Sequence, residues 1–213
     1  MAGYSPPTAE ALAEARARLV ELDPALARFD AALPPFEWRV REGGFPGLAR
    51  FIVDQQVSTA SAAAIWARVE MGLGEAAADR VLAHPSGLAG LGLSGPKIRY
   101  LKALAEAERD GRLDFSALAG LDDEAAIAVL TALTGIGRWT AEVYLMFCEG
   151  RLDVFPAADI ALQEALRWVD RGELRLGEKA AYGRAECWRP YRGVAAHLLW
   201  AAYRAVKAGD MAL

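Results

Sequence analysis

The feature that most constrains this chain is a Gly-x-Gly turn between two segments of helical character. Residues 133–141 read Leu-Thr-Gly-Ile-Gly-Arg-Trp-Thr-Ala. Gly135 and Gly137 lack a Cβ and tolerate positive φ, so they suit a turn in which the backbone closely approaches another group. The first N–H groups of a helix have no acceptor within that helix, so the helix that follows Gly137 offers a site for an anion such as a phosphate.

A second element follows the turn and ends in an acid. Residues 153–159 read Asp-Val-Phe-Pro-Ala-Ala-Asp and precede the apolar run 160–162. Asp159 therefore stands where the N-cap residue of a new helix is expected. Taken alone, a Gly-x-Gly turn is more often a plain connector and an N-cap aspartate is more often structural. The two elements in this order are a more specific signal.

In this order the two elements resemble those of the helix-hairpin-helix DNA glycosylases, the HhH-GPD superfamily. The hairpin of that family reads Leu-Pro-Gly-hydrophobic-Gly, and a catalytic aspartate follows further along the chain. Thr134 stands here in place of the proline. The resemblance implies that Asp159 is the catalytic residue and that the hairpin contacts the DNA backbone. The implied DNA-binding residues of the hairpin are Gly135, Gly137, Arg138 and Thr140.

Two further segments resemble the alkylation-repair branch of the family, the 3-methyladenine DNA glycosylase II (AlkA-like) enzymes. Residues 55–58 read Gln-Gln-Val-Ser, and in that branch this turn supplies the side chain that fills the gap left by the extruded base. Gln56 is the implied wedge, with Gln55 and Ser58 as neighbouring DNA contacts. Without the resemblance, two adjacent glutamines are typical of a solvated helix end. The motif Trp-Arg-Pro-Tyr-Arg before the final helix is the second mark, and it adds Arg192 to the DNA contacts.

The resemblance also implies a pocket for the extruded base. Trp139 and Trp200 match aromatic residues of that pocket, although tryptophans at helical spacing are more often core residues. Val143 stands where some relatives have a tyrosine, and Tyr144 follows it. We therefore expect a pocket that is less aromatic than in those enzymes, built from Trp139, Val143, Tyr144 and Trp200.

Cofactor expectations come from the cysteine count and from the hairpin. Cys148 and Cys187 are the only cysteines, too few for a four-cysteine iron–sulfur cluster, so we expect no redox cofactor. In the family, backbone carbonyls of the hairpin often hold Na⁺ or K⁺. The resemblance implies Thr131, Leu133 and Ile136 as the carbonyl donors.

Composition and periodicity predict an all-α fold. The chain is 54% hydrophobic and 24% charged, rich in residues that favour helices, and it contains no period-2 run and no internal repeat. Helical spacing and caps predict helices over about 8–22, 23–33, 48–56, 59–70, 75–83, 97–109, 123–132, 138–148 and 160–169, and a final helix that carries His197, Trp200 and Tyr203. The expected cap of the fourth helix is Ser58 or Thr59, and that of the first hairpin helix is Asp122 or Asp123.

The family fold implies two helical lobes within one HhH-GPD unit spanning 1–213. One lobe is expected to contain about 1–44 and 151–213, and the other about 45–150 with the hairpin at 122–148. Asp159 is expected at the cleft between them. We expect no extra N-terminal domain, because few residues precede Phe45.

A net charge of −4 argues mildly against a nucleic-acid partner, so binding requires a local basic face or backbone amides. Lys97 and Arg99 either contact a DNA backbone or form a solvated face, with equal weight for both. We expect a monomer that binds double-stranded DNA containing alkylated bases. We expect a cytoplasmic protein, because 1–7 lacks the features of a signal peptide and no apolar run has the length of a membrane span.

The chemistry expected at Asp159 is hydrolysis of an N-glycosidic bond. A fixed carboxylate stabilises the positive charge that develops on the sugar and helps to orient or deprotonate water, once the base has left the stack. Asp153 is the local competitor, for which structural capping is the stronger expectation. Trp139 stands where members that also cut the strand have a lysine, which predicts a monofunctional enzyme. Two alternatives stay open: a non-catalytic helix-hairpin-helix DNA-binding protein, or the same fold acting on uracil, hypoxanthine or oxidised guanine.

Overall fold

The regular structure of this chain is helical. The computed structural model describes residues 6–84 and 86–212, and within them it contains α-helices and short 3₁₀ turns but no strand. The α-helices, in chain order, are α1 Ala9–Leu22, α2 Ala27–Ala32, α3 Gly44–Asp54, α4 Thr59–Leu73, α5 Ala78–Ala83, α6 Gly95–Arg109, α7 Phe115–Leu118, α8 Asp123–Thr131, α9 Arg138–Cys148, α10 Ile160–Val169, α11 Glu178–Ala185 and α12 Arg192–Ala208. The all-α prediction is confirmed.

The chain divides into two compact units. We call the first, Arg41–Tyr144, the hairpin unit, because it contains the turn between α8 and α9. The second, the terminal unit, contains the described residues up to Val40 and those from Leu145 onward.

The core of the hairpin unit forms where α3 packs on α6. Phe45, Leu48 and Ile52 of α3 are buried, as are Leu101 and Leu104 of α6, in each case at helical spacing. Burying a side chain of this size contributes about 1.5–3 kcal/mol, so this contact is a main source of stability for the unit. α6 also packs against α5, which makes α6 the central helix of the unit.

The terminal unit is built around α12, which packs against α10 and α1. A buried polar contact joins distant parts of the unit, since Asp23 Oδ2 accepts a hydrogen bond from Trp188 Nε1 at 2.9 Å and another from Arg184. Burial alone would raise the pKa of the Asp23 carboxyl, but these two donors outweigh it and hold the pKa below its usual value. The same carboxylate caps the 3₁₀ turn Pro24–Leu26 through the Ala25 N–H.

Several predicted helix ends are confirmed, while others move. The ranges of α9 and α10 agree with prediction, and Ser58 and Asp122 are the caps of α4 and α8. The helix predicted over 23–33 is split into the 3₁₀ turn and α2, and α5 begins at Ala78 rather than at residue 75. Residues 36–43, which connect α2 to α3, have no regular structure.

Two helices differ more from expectation. α3 begins at Gly44, four residues before the predicted start, because Pro46 is tolerated in a first turn and Tyr144 Oη accepts the Gly44 N–H at 2.9 Å. α11 was not predicted. It starts after Gly177 without a side-chain cap, and the acidic Glu178 in its first turn is a weak start signal. Residues 1–5, on which part of the signal-peptide expectation rests, lie outside the described residues.

None of the helices in the part of the chain that the structure describes has the length and apolar character needed to span a membrane.

Candidate nucleic-acid interface and catalytic site

The hairpin turn is shaped by two buried anchors and two glycines. Leu133 and Ile136 point into the core of the hairpin unit, and the Ile136 N–H donates to the Leu133 carbonyl at 3.1 Å. Gly135 has φ +92°, and a Cβ there would lie 2.2 Å from the Tyr100 ring. Gly137 has no neighbour within 4 Å of a Cβ position, so its backbone borders open space. Gly135 therefore has the expected positive φ, whereas Gly137 leaves the backbone of the turn accessible from outside the protein.

The helix that follows the turn carries a predicted base-pocket residue, Trp139, and two predicted DNA contacts, Arg138 and Thr140. Trp139 is 38% exposed. The Arg138 guanidinium donates to both carboxylate oxygens of Glu124, at 3.0 and 2.6 Å, and to Glu142 Oε1 at 3.0 Å. A phosphate would have to compete with these two carboxylates for Arg138. The Thr140 side chain is buried, so the prediction that Thr140 contacts DNA is corrected for its side chain.

The two glutamines of the turn between α3 and α4 have different surroundings. Gln56 is exposed and adopts φ +55°, a left-handed conformation that is uncommon for a residue with a Cβ. Gln55 instead donates from Nε2 to the Gly135 carbonyl at 3.0 Å. Ser58 is exposed, and its hydroxyl caps α4 by accepting the Ser61 N–H at 3.2 Å. Gln56 and Ser58 thus remain accessible, while Gln55 is engaged within the protein.

Asp159 is the N-cap of α10, as predicted from the sequence. Its Oδ1 accepts the N–H groups of Ala161 and Leu162 at 2.9 and 3.1 Å. The same oxygen accepts the indole N–H of Trp200 at 3.2 Å. The loop before it is braced by Gln163, whose Nε2 donates to the Ala157 carbonyl at 2.9 Å. These contacts fix the direction of the half-buried carboxylate.

Trp200 belongs to an aromatic cluster of the terminal unit. Its ring lies 5.7 Å, centroid to centroid, from both Phe147 and His197. His197 stacks on Trp38 at 4.0 Å. Trp200 is only half-buried, unlike the core tryptophan Trp188. It therefore combines a ring held by its neighbours with an accessible surface beside Asp159.

Val143 and Tyr144 do not form an accessible pocket wall in this structure. Each is 1% exposed, and Tyr144 packs on Phe115 while its hydroxyl serves the start of α3. The prediction that these two residues line the base pocket is corrected to a role in the core, because α9 is buried at every position from 140 to 148.

Asp153 and Arg192 hold the loop that leads to Asp159. Arg192 Nε and its backbone N–H donate to Asp153 Oδ1 at 3.0 and 3.2 Å, and its Nη1 donates to Glu186 at 2.8 Å. The Gly193 N–H donates to the Leu152 carbonyl at 2.7 Å. Asp153 thus has a structural role as an ion-pair partner of Arg192 rather than as the expected N-cap. The prediction that Arg192 contacts DNA is corrected, because its side chain is buried and engaged by two carboxylates.

The predicted cation donors are chemically suitable. Thr131 is the last residue of α8, where helix carbonyls lack partners within the helix. The Leu133 carbonyl accepts the Ile136 N–H, which leaves its second lone pair for another contact. Backbone carbonyls of this kind suit Na⁺ or K⁺. A site formed with the Ile136 carbonyl stays a prediction.

Lys97 and Glu142 make structural contacts that the sequence analysis did not predict. Lys97 is 8% exposed and donates from Nζ to the Val53 carbonyl at 2.7 Å, so it belongs neither to a solvated face nor to a surface DNA contact. Arg99 is exposed. The Arg138–Glu142 contact could have been predicted from its i,i+4 spacing. No local signal marks Lys97.

The fold and these elements define a helix-hairpin-helix protein with an N-cap aspartate after the hairpin. The family model that matches residues 49–190 describes the HhH-GPD superfamily of base excision DNA repair proteins. This match covers more than half of the chain, and the chain belongs to that superfamily.

Three relatives illustrate the similarity. DNA-3-methyladenine glycosylase 2 of Escherichia coli is 31% identical over 93% of this chain and 74% of the relative. The crystal structure of a DNA-3-methyladenine glycosidase from Bacillus halodurans is 34% identical over 89% of each chain, with a TM-score of 0.82. The 3-methyladenine DNA glycosylase of Schizosaccharomyces pombe, in complex with abasic DNA, is 26% identical over 94% of this chain and 100% of that chain, with a TM-score of 0.78. The chain spans about half or less, 48% and 36%, of the first curated relatives that it matches.

Proposed function

We propose that this protein is a monofunctional DNA glycosylase that hydrolyses the N-glycosidic bond of alkylated purines of the 3-methyladenine type. The observation that carries the proposal is the Asp159 carboxylate, which two backbone amides and the Trp200 indole hold at the N-terminus of α10. The names of the three relatives support the same substrate class.

The proposed reaction needs a base outside the stack and a fixed negative charge beside the sugar. Water attacks C1′ while the bond from C1′ to the base breaks, and the electron pair of that bond leaves with the base. The proton of the attacking water passes to Asp159 or to solvent, and an abasic site remains. Because Asp159 is oriented before the reaction, its charge stabilises the developing oxocarbenium character without reorganisation. The S. pombe relative is bound to abasic DNA, which is the type of product that this reaction leaves.

DNA binding is proposed to use backbone groups more than basic side chains. Gly137 borders open space at the N-terminus of α9, where the helix dipole favours an anion. A Na⁺ or K⁺ ion on the carbonyls of the turn would add positive charge there. This mode of binding suits a chain of net charge −4. It contacts phosphate and therefore does not distinguish one sequence from another.

Gln56 is proposed as the wedge that enters DNA when the base leaves. It is exposed, and its left-handed backbone directs the residue away from the helical path of α3. The protein is proposed to bind its DNA substrate as a monomer. It is proposed to act inside the cell, where alkylated genomic DNA occurs.

The substrate preference is proposed to follow from the indoles. Alkylation at N3 or N7 gives a purine a positive charge and weakens its glycosidic bond. The face of an indole attracts a cation by about 0.5–2 kcal/mol, depending on desolvation. Trp139 is 38% exposed and Trp200 is half-buried. Each ring, considered by itself, keeps surface that supports contact with such a base.

The test measures release of 3-methyladenine from methylated DNA by the wild type, Asp159→Asn and Asp114→Asn. Asp114 is a matched control, because it caps α7 through two backbone N–H groups just as Asp159 caps α10. Asparagine caps a helix as well as aspartate, so both variants should fold. We expect Asp159→Asn to lose at least about 100-fold in base release and to keep DNA affinity within about twofold, as for removal of a preorganised electrostatic group.

Asp114→Asn should match the wild type in this assay. Near-normal release by Asp159→Asn would refute the catalytic assignment. DNA binding without any base release by the wild type would favour the alternative of a non-catalytic binding protein.

A further inference from the structure

Two turns of the hairpin unit rest on the same helix, α6. Lys97 of α6 holds the end of α3 through Val53, and the Tyr100 ring of α6 lies against Gly135 of the hairpin turn. Lys97 and Tyr100 are three residues apart, so they lie on the same side of α6. The turn that carries Gln56 and the turn of the hairpin thus share one support.

Lys97 is placed to stabilise the C-terminus of α3. Val53 lies in the last turn of α3, where carbonyl groups have no partner within the helix. The buried ammonium group satisfies one of these carbonyls and complements the negative end of the helix dipole. Burial lowers the pKa of Lys97, and the nearby Asp54 opposes this shift. The position of the Gln55–Ser58 turn therefore depends on a contact inside the unit.

Gln55 provides a second, direct link between the turns. Its Nε2 donates to the Gly135 carbonyl at 3.0 Å, although the two residues are 80 positions apart. The next residue, Gln56, has φ +55° and is exposed. A left-handed residue with a Cβ is strained, and such strain persists where the surroundings hold it. The contacts of Gln55 with Gly135 and of Lys97 with Val53 are side-chain contacts that hold the residues just before Gln56.

We propose that Gln55 and Lys97 are positioning residues that keep Gln56 in register with the hairpin turn. The hairpin turn binds a phosphate, and the hydrogen bond of Gln55 fixes the position of Gln56 relative to that turn. Gln56 then enters the duplex at a set distance from the bound phosphate. Fixing the wedge before binding removes the conformational entropy that a loose turn would lose on insertion. This inference rests on the proposed function, since it concerns how the wedge acts during base extrusion.

The experiment uses a duplex that carries 2-aminopurine opposite a stable abasic-site analogue. The fluorescence of 2-aminopurine changes when a side chain enters the gap. The variants are Gln55→Met, Lys97→Met, Gln56→Ala and the double variant Gln55→Met/Gln56→Ala, with Arg99→Met as the control for loss of a cation from α6. Binding to an undamaged duplex and thermal unfolding are measured for each. Methionine matches the length of glutamine and is one atom shorter than lysine, and it donates no hydrogen bond.

We expect Gln55→Met and Lys97→Met to reduce the fluorescence change at least about fivefold while affinity for undamaged DNA stays within about twofold, since the phosphate grip is separate from the wedge. Gln55→Met should cause no further loss in the Gln56→Ala background, because its effect passes through Gln56. Arg99→Met should give the wild-type fluorescence change.

A full fluorescence change in Gln55→Met would overturn the inference, as would an equal loss caused by Gln55→Met with and without Gln56. Gln55 is only half-buried, so its variant keeps the test decisive even where Lys97→Met fails to fold. A wild-type protein that neither binds nor inserts would overturn the proposed function and this inference with it. Insertion by the wild type with unchanged variants would overturn this inference alone.

Discussion

The indole N–H of Trp200 donates a hydrogen bond to Asp159 Oδ1 over 3.2 Å, between residues 41 positions apart. The same oxygen accepts two backbone N–H groups of α10. The carboxylate is therefore aimed by the main chain of one helix and by a side chain of another. Trp200 thus donates a hydrogen bond to Asp159 and also keeps accessible ring surface. Separate substitutions can test these two properties.

Trp200→Phe removes the donor and keeps an aromatic ring. We expect base release to fall about tenfold, the effect of one hydrogen bond of about 1.5 kcal/mol to a charged group. Trp200→Ala should lose more, since it also removes the ring. Single-turnover release of 3-methyladenine measures both. Trp66→Phe, at a tryptophan of the hairpin unit, is the control and should keep full release. Full activity of Trp200→Ala on every lesion would make Trp200 a purely structural residue.

The lesion preference should favour cationic bases. In competition between methylated DNA and DNA containing hypoxanthine or uracil, we expect 3-methyladenine to leave fastest, because its positive charge weakens the glycosidic bond and attracts the indole face. Trp200→Ala should narrow the difference between lesions. Faster removal of uracil or hypoxanthine would contradict a pocket that selects for charge.

Substitution of the two hairpin glycines should affect different properties, stability at Gly135 and DNA affinity at Gly137. Gly135→Ala introduces a Cβ at φ +92° and against Tyr100, so we expect the free energy of unfolding to fall by about 1–3 kcal/mol or more. Gly137→Val meets no neighbour within 4 Å and should fold. Its side chain would stand where DNA approaches, so we expect affinity for every duplex to fall about tenfold, or about 1.4 kcal/mol. Urea unfolding and fluorescence anisotropy with two unrelated duplexes measure these effects. Unchanged affinity of a folded Gly137→Val protein would count against the hairpin as the phosphate contact.

Strand cleavage should be absent. A lyase needs an amine that attacks the sugar and forms a Schiff base, and the indole of Trp139 cannot do so. Borohydride added during the reaction should trap no covalent protein–DNA adduct, and the abasic product should remain uncut until alkali is added. Trp139→Lys provides the informative comparison, because it restores an amine at that position. A trapped adduct with the wild-type protein would contradict the monofunctional assignment.

The stability of the protein should depend on pH through His197. Burial lowers the pKa of His197 from 6.5 to about 4; its Nδ1 is hydrogen-bonded to the Gly193 carbonyl, and its Nε2 accepts the Arg39 N–H. The unfolded chain takes up a proton below about pH 6.5 that the folded chain takes up only near pH 4. The free energy of unfolding should therefore fall by about 3 kcal/mol between pH 7 and pH 4.

His197→Phe should remove this loss, since it keeps a ring beside Trp38 but cannot titrate. The control is His84→Gln at the other, exposed histidine, which should keep the wild-type dependence. Urea unfolding across this pH range measures both variants. An unchanged pH dependence in His197→Phe would show that His197 does not cause it.

Local signals predicted much of the helical framework. Three features depend on residues within one or two helical turns of each other. They are the cap at Asp159, the ranges of α9 and α10, and the turn with positive φ at Gly135. Capping and helical periodicity act over three or four residues, so a single sequence is enough to locate them. α11 shows the limit of this approach, because it lacks a side-chain cap and was missed.

The tertiary structure alone decided which candidate side chains are available to act. Arg192 and Lys97 are basic in the sequence, yet one is engaged by Asp153 and the other by the Val53 carbonyl. Gln55 and Gln56 are identical residues next to each other in the sequence. In the structure, Gln55 donates to the Gly135 carbonyl, whereas the Gln56 side chain is exposed. The physical reason is that burial and pairing depend on groups brought from distant parts of the chain. The sequence by itself determined most of the helices, the turn and the acid at the helix start, and the packing of those helices determined the partner of each polar side chain.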